Sequence, residues 1–356
     1  MSIRNKNFLI VGGAGFVGSN LAHHLLSEHD PAEVWIVDNL LSSDVANLPQ
    51  DARVRFLFGS ITEERILQAL PRDLEVVFHL ACYHGNQSSI ADPFADHANN
   101  TFTSLRLFDH LKDFPRLKKV VYAAAGCAVA EKTFGDATAT PEDAPVSLFH
   151  DSPYSISKLI GEMYGNYYFQ RYGLPFVKAR FQNVYGQREI LGAGRWRGTA
   201  HTVWRNVIPT FIWKALHREA LPLDNGGNAS RDFIFVEDMA NGLVACVEHG
   251  EPGQAYNLAS GVETRIGDLA ALINELTDNP TPVDLRPARN WDRSGKRFGA
   301  TEKSRDKLGF TAQVPIREGL TRTIEWTMAQ HDLIQRCMNN HAVLMRQLEA
   351  RKSITA

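Results

Sequence analysis

Seven residues near the N-terminus, Gly12-Gly13-Ala14-Gly15-Phe16-Val17-Gly18, constrain the fold more than any other stretch of this chain. They follow a short apolar run, Phe8-Leu9-Ile10-Val11, and precede a segment with apolar residues at helical spacing, Leu21, Leu25 and Leu26. A continuous apolar run of that length fits a strand buried on both faces of a parallel sheet. Glycines at 12, 15 and 18 between such a strand and such a helix supply a tight turn. They also let the backbone approach a pyrophosphate and the helix pack closely on the sheet. A second strand-like run, Val34-Trp35-Ile36-Val37, ends in Asp38, about 20 residues past the last glycine. A carboxylate there accepts from ribose hydroxyls and repels a 2′-phosphate, so NAD is favoured over NADP. Alone, Asp38 would read equally well as a strand cap. The predicted cofactor cradle is Gly12, Gly15, Phe16, Val17, Gly18, Asp38 and Asn39.

Further strand-like runs lie at Val54-Arg55-Phe56-Leu57, Val76-Val77-Phe78-His79-Leu80, Val120-Val121-Tyr122-Ala123 and Pro175 to Arg180, and helical patterns separate them. That alternation predicts an α/β fold with a doubly wound parallel sheet. A chain of 356 residues buries a large core as one large or two intimate domains. The expected division is 1–185 around the dinucleotide site, 186–330 mainly for substrate with some segments returning to the first core, and 331–356 as a helical tail.

A net charge of −2 offers no basic stripe, so no nucleic-acid partner is expected. The four cysteines, Cys82, Cys127, Cys246 and Cys337, form no CxxC or Cys/His pattern, so no metal is expected and reduced thiols fit best. The apolar segment before Gly12 is too short for a signal peptide or a membrane span, and a cytoplasmic protein without a membrane partner is expected.

Tyr154 and Lys158 stand four residues apart at the start of another helical pattern and so share a face. A phenol titrates near pH ~10 and is a poor base at neutral pH unless a fixed cation favours its ionised form. Lys158 is placed to be that cation. Taken alone, the pair also fits an exposed helix start with one aromatic and one solvated lysine. The segment from Glu189 to Arg205 is rich in glycine, arginine and tryptophan, including Arg197, and suits a loop that closes over an anionic sugar ligand. His201 within it is a candidate acid/base or a structural histidine.

Together these stretches resemble the extended short-chain dehydrogenase/reductase family, specifically its NAD-dependent nucleotide-sugar epimerases and dehydratases. The resemblance rests on Val11 to Ser19, Phe78-His79-Leu80-Ala81, Asn99-Asn100, Tyr154 with Lys158, and Arg231-Asp232-Phe233. It implies a Rossmann-type domain with a smaller C-terminal α/β substrate domain, NAD as cofactor, a nucleotide-diphosphate sugar as substrate, and a homodimer formed through the helices of Asn100 and Tyr154. By the same resemblance Leu80 and Ala81 lie by the cofactor, Asn100 supports the nicotinamide-side helix, and Lys158 also holds the nicotinamide ribose. Where the family has Asp-Ile or Asp-Leu against adenine, this chain has Ser60-Ile61. Asn183 and Asn206 correspond to substrate-contacting segments. Arg231 and Arg289 correspond to the two diphosphate arginines, with Arg293 or Arg297 as register alternatives for the second.

One departure from the family bears on the reaction. The Ser/Thr whose hydroxyl binds the sugar oxygen falls on Ala125, or on Gly126 after a shift of one residue. Losing such a donor costs about 2.7–4 kcal/mol of transition-state stabilisation. A water, Ser88, Ser89 or the Cys127 thiol are the candidate replacements. The absence of a carboxylate beside Ala125 disfavours the dehydratase and decarboxylase patterns, and Ala125-Gly126-Cys127 resembles the Ser-x-Cys of epimerases that invert carbons beside a 4-keto group. Cys127 is then a candidate acid/base or a packed core thiol. The expected activity is that of an NAD-dependent nucleotide-sugar epimerase, an isomerase working through a transient keto sugar with Tyr154 as base. A dehydratase or 4-keto-sugar reductase of the same fold is the alternative. So is a noncatalytic NAD- and sugar-nucleotide-binding regulator.

Overall fold

Seven parallel strands form the central sheet in the order Ala255–Leu258, Phe176–Phe181, Lys119–Ala125, Val76–His79, Asn7–Val11, Glu33–Asp38, Val54–Phe58. The computed structural model describes residues 1–130, 133–289 and 295–355, with the backbone alone for Cys127 and 351–355. Side chains alternate across a strand, and the apolar runs therefore feed two cores. Phe8, Ile10, Ile36, Phe78 and Val121 face one side, beneath Leu21 and Leu25 of the Phe16–Glu28 helix and Met239 and Leu243 of the Val236–Glu248 helix. Leu9, Val11, Val37, Val77 and Tyr122 face the other, beneath Leu107 and Phe108 of the Phe102–Leu111 helix and Tyr168 of the Pro153–Tyr172 helix. This is the doubly wound parallel sheet expected from the alternation of runs.

The strand order reverses between Asn7–Val11 and Val76–His79, which are neighbours in the sheet although far apart in sequence. Ligands of such sheets bind beyond the strand C-termini at that reversal. Gly12 and the Leu80-Ala81 pair sit there.

The Pro153–Tyr172 helix starts where Ser152 accepts the Ser155 N–H and Pro153 occupies the first turn, and it stops at Gly173 with φ 71°. Gly161 and Gly165 let it lie close on the sheet: a Cβ on either would overlap the Tyr122 phenol or the Phe176 ring. The approach brings Lys158 within hydrogen-bonding distance of the strand below.

The second half contributes Ala255–Leu258 to the edge of the main sheet. It also builds a separate three-stranded unit, Asn183–Tyr185 parallel to Ser230–Phe235 and the latter antiparallel to Glu263–Arg265. Phe211, Ile212, Phe233, Leu269, Ile273 and Leu320 fill its core. In the tail, Ile334 and Cys337 of the His331–Asn339 helix are buried against Ile190, Leu191, Ala193 and Trp213. His341 Nε2 lies 2.9 Å from the Gly192 carbonyl oxygen. No helix among the described residues is long and apolar enough to cross a membrane.

Candidate active site

A cavity of about 1000 Å³ opens at the strand C-termini, between the sheet and the second-half unit. Its cofactor side is built from the glycine turn. Gly12 has φ 87°, and its N–H donates to the Val37 carbonyl at 2.7 Å. A Cβ on Gly12 would overlap the Ala81 backbone, and one on Gly18 would overlap the Gly12 carbonyl. The helix beginning at Phe16 has no side-chain cap and no acidic residue in its first turn, so the N–H groups of Phe16 and Val17 suit a pyrophosphate.

Asp38 and Asn39 line the cavity beside Leu80 and Ala81. Asp38 does more than the sequence suggested. Its Oδ1 accepts from Leu40 N at 2.8 Å and Ser43 Oγ at 2.9 Å, and its Oδ2 from Ala14 N at 3.0 Å. Burial pushes its pKa up, and these hydrogen bonds oppose the rise. The carboxylate therefore ties the glycine turn to the 39–43 loop as well as lining the cavity. The Asn39 side chain accepts from Leu41 N, a local turn bond. Ser60 lines the cavity with the buried Ile61, its hydroxyl accepting from Thr62 N and Thr62 Oγ1, while Ser60 N donates to Glu63. This set fits NAD: a donor-rich helix start and a carboxylate, Asp38, on the cavity wall.

The resemblance makes Asn100 a support of the nicotinamide-side helix, and Asn100 is hydrogen-bonded to Ser157 of the Pro153–Tyr172 helix. It lies behind the cavity wall in a π-helical turn, His97–Thr101. Its Oδ1 accepts from Tyr83 N at 2.7 Å, and its Nδ2 donates to Asp96 Oδ1 at 2.8 Å and Ser157 Oγ at 3.1 Å. A buried amide must spend its hydrogen bonds, and this one spends them joining the 80–84 turn to the Tyr154 helix.

Tyr154 and Lys158 both face the cavity. Lys158 is buried, donates from Nζ to the Ala123 carbonyl at 2.9 Å, and holds Nζ 5.9 Å from the Tyr154 ring centre. Tyr154 N donates to Ser89 Oγ at 3.2 Å. Ala125 lines the wall without a hydroxyl, and a Cβ on Gly126 would overlap the Gln182 amide. Of the two serines offered as replacements, Ser89 is engaged with Tyr154 N and the Asn86 carbonyl. Ser88 is buried, lines the cavity, and its Oγ has no hydrogen-bond partner among the described residues. The Cys127 side chain lies outside the described residues.

On the substrate side, Asn183, Arg197, His201, Asn206, Arg231 and Arg289 all line the same cavity. Arg231 donates to the Ser230 and Gly295 carbonyls, Arg289 pairs with Asp224, and Asn183 Nδ2 donates to the Asp232 carbonyl. Arg297 is also a lining residue, whereas Arg293 lies outside the described residues. Arg197 is buried, donates to the His84 and His201 carbonyls, and leaves Nε without a partner among the described residues. His201 Nδ1 is 3.1 Å from the Trp204 carbonyl and so carries its proton there.

Cys82 and His84 of this wall were not expected as site residues from the sequence, and Glu189 and Arg205 were expected only as the ends of the closing loop. Burial pushes the Glu189 carboxyl up to about 7 and the Arg205 guanidinium down to about 9. Burial raises the Cys82 thiol, but the neighbouring Lys158 and His84 outweigh it and bring the thiol to about 7. The signal was the position of Cys82-Tyr83-His84, directly after the cofactor-side Leu80-Ala81.

Residues 8–259 match the model of the NAD dependent epimerase/dehydratase family. The chain belongs to that family. It is 55% identical to the Bordetella bronchiseptica enzyme WbmF crystallised with NAD⁺ and UDP, covering 97% of this chain and 98% of that one, with a TM-score of 0.87. It is 30% identical to a UDP-glucose 4-epimerase of Mycolicibacterium smegmatis, over 89% of this chain and 97% of that protein. A Thermotoga maritima UDP-glucose 4-epimerase with UDP-glucose superposes with a TM-score of 0.81 at 29% identity, over 91% and 99% of the two chains. The protein is an enzyme of this family and NAD is its cofactor, so the noncatalytic reading raised by Ala125 falls away.

Proposed function

We propose that the protein is an epimerase of UDP-hexoses that works through a transient keto sugar, with Tyr154 as base. The observation that carries this is the Tyr154–Lys158 pair, set by the anchored Lys158 in the cavity that also holds the glycine turn. NAD, when bound, supplies a reversible hydride acceptor. The Tyr154 oxygen takes the proton of the sugar hydroxyl, and the buried Lys158 ammonium offsets the charge that forms on it. Arg231 and Arg289 grip the diphosphate, two cations for two phosphates. Asn183 and Ser88 face the sugar, with the Ser88 hydroxyl standing in for the one that Ala125 lacks. After the keto sugar turns in the cavity, Tyr154 returns the proton.

UDP as the nucleotide is supported by WbmF, which was crystallised with it, and by two epimerases similar in structure that carry UDP-sugars. The same reading makes the protein a cytoplasmic homodimer. Exposed Phe94, Phe102, Ile156, Met163 and Tyr167 lie on the 93–111 and Tyr154 helical segments and suit a dimer face. The test is incubation of NAD-loaded protein with UDP-, dTDP-, GDP- and CDP-hexoses, with products followed by NMR. Conversion of a UDP-hexose to its epimer, lost in Tyr154→Phe, is expected. Failure of every UDP-hexose to react refutes the reading.

A further inference from the structure

The 187–206 segment lines the substrate side of the cavity, yet many of its ties run to the cofactor half of the chain. At its start, Asn20 of the Phe16–Glu28 helix donates from Nδ2 to the Gln187 carbonyl at 2.9 Å. The buried Asn47 donates to the Ala14 carbonyl of the glycine turn and to the Arg188 carbonyl, both at 3.2 Å. In the middle, Arg195 N donates to the Leu41 carbonyl at 3.0 Å and Arg195 Nη2 to the Asn39 carbonyl at 2.7 Å. A Cβ on Gly194, which has φ 90°, would overlap the Leu41 carbonyl, so the two loops meet backbone to backbone. At its end, the Arg205 guanidinium donates to the Ser42, Ala193 and Thr202 carbonyls.

The same segment reaches the surroundings of the base. Asn206, directly after Arg205, holds its Oδ1 3.1 Å from His84 Nε2, and Arg197 donates to the His84 carbonyl. His84 packs edge-on against the Tyr154 ring, centroids 5.7 Å apart. From adjacent positions, Arg205 and Asn206 therefore hold the 39–43 loop anchored by Asp38 and the turn beside Tyr154. Leu40 at φ 53° and Arg188 at φ 68° are left-handed without being glycine, one in each of the joined loops. Such a conformation persists only where its surroundings hold it. The tail closes the sandwich from outside. His341 and the Met338 backbone lie against Gly192, and Arg336 and Cys337 reach Asp44.

We propose that the 187–206 segment is a strap that couples the two ligand sites, with Arg205 as its positioning residue. Occupancy of the cofactor cradle fixes the 38–43 loop and, through Arg195 and Arg205, the strap. The substrate's nucleoside diphosphate then meets a wall already in place. The inference rests on the nucleotide-sugar reading above. Ordering a loop costs free energy, and a cost met on binding one ligand is not met again on binding the second. Each ligand therefore raises the affinity for the other by the same factor. Direct electrostatics gives the opposite sign, because NAD and a nucleoside diphosphate are both anions.

The test is the affinity of UDP, measured by calorimetry on the cofactor-free and the NAD-loaded full chain. UDP carries no hexose, so a gain does not come from a sugar touching the nicotinamide. Binding about tenfold or more tighter to the NAD-loaded protein is expected, with an equal gain in NAD affinity at saturating UDP. In Arg205→Met the gain should fall to about threefold or less, and Arg205→Lys, which keeps a donor, should recover part of it. Gly194→Ala changes no charge and should lower the gain in the same way. Melting temperatures establish that the variants are folded. A UDP affinity indifferent to NAD in the wild type overturns the strap, and a gain undiminished in Arg205→Met overturns the role of Arg205. Running dTDP, GDP and CDP beside UDP separates this from the substrate reading. If one of these binds tightest, UDP is the wrong nucleotide, and the same gain read on that ligand decides the coupling.

Discussion

Replacing Lys158 by Met removes a cation anchored against Tyr154 while keeping most of the side-chain volume. At 5.9 Å from the ring centre and an effective dielectric near 20, a unit charge favours a phenolate by about 3 kcal/mol. That corresponds to roughly a 100-fold loss of kcat/KM for the UDP-hexose at neutral pH. The loss should shrink as pH rises, because alkali restores the phenolate that the ammonium no longer favours. The Ala123 carbonyl also loses its 2.9 Å donor, at a stability cost of about 1–3 kcal/mol. Urea unfolding of Lys158→Met separates that term from the catalytic one. The assay is kcat/KM against pH for both proteins, with NAD occupancy checked after denaturation. A variant within tenfold of wild type at pH 7, with an unchanged pH profile, would refute the assignment of Lys158 as the cation of the base.

Gly161→Val should destabilise the fold by about 1–3 kcal/mol in urea, because the added side chain meets the buried Tyr122 phenol; a Tm within a degree of wild type would contradict the close helix–sheet approach. His79 is buried, and burial together with Lys158 pulls its pKa to about 3. Since the unfolded histidine protonates near 6.5, stability is full above that pH and declines as pH falls towards 3, by about 2 kcal/mol between pH 6.5 and 5. His79→Gln should flatten that arm of the pH–stability curve. Deleting 331–356 uncovers Ile190, Leu191, Ala193 and Trp213 and loosens a loop tied to the cofactor side by Arg195 N to the Leu41 carbonyl and Arg205 to the Ser42 carbonyl. NAD should then be lost on gel filtration from the truncated protein and retained by the full chain.

Much of the cavity was legible because its chemistry is local. A tight turn needs glycine where a Cβ would strike backbone, as at Gly12 and Gly18, and a helix sets residues 154 and 158 on one face whatever surrounds it. The residues that escaped, or changed role, make their contacts across long sequence separations. Asn100 shows this well: nothing in its own neighbourhood indicates that its amide spans Tyr83 and Ser157. Asp38 could be placed by its spacing from the glycines, but not its bond to Ser43. Arg197 and His201 were placed by composition alone, and the Arg197 bond to the His84 carbonyl depends on how the 189–205 loop folds back on the 82–84 turn.

By itself the sequence determined the parallel sheet, the NAD cradle and the Tyr154–Lys158 pair, since strand alternation, helical spacing and glycine sterics act over a few residues. The tertiary structure alone decided the far wall. Cys82 and His84 come from a strand end, Glu189 and Asn206 from a loop more than a hundred residues later, and they meet only when the second half of the chain closes over the first. The reactivity of that wall follows from burial and from charges brought together by packing, and neither is a property of any single stretch of sequence.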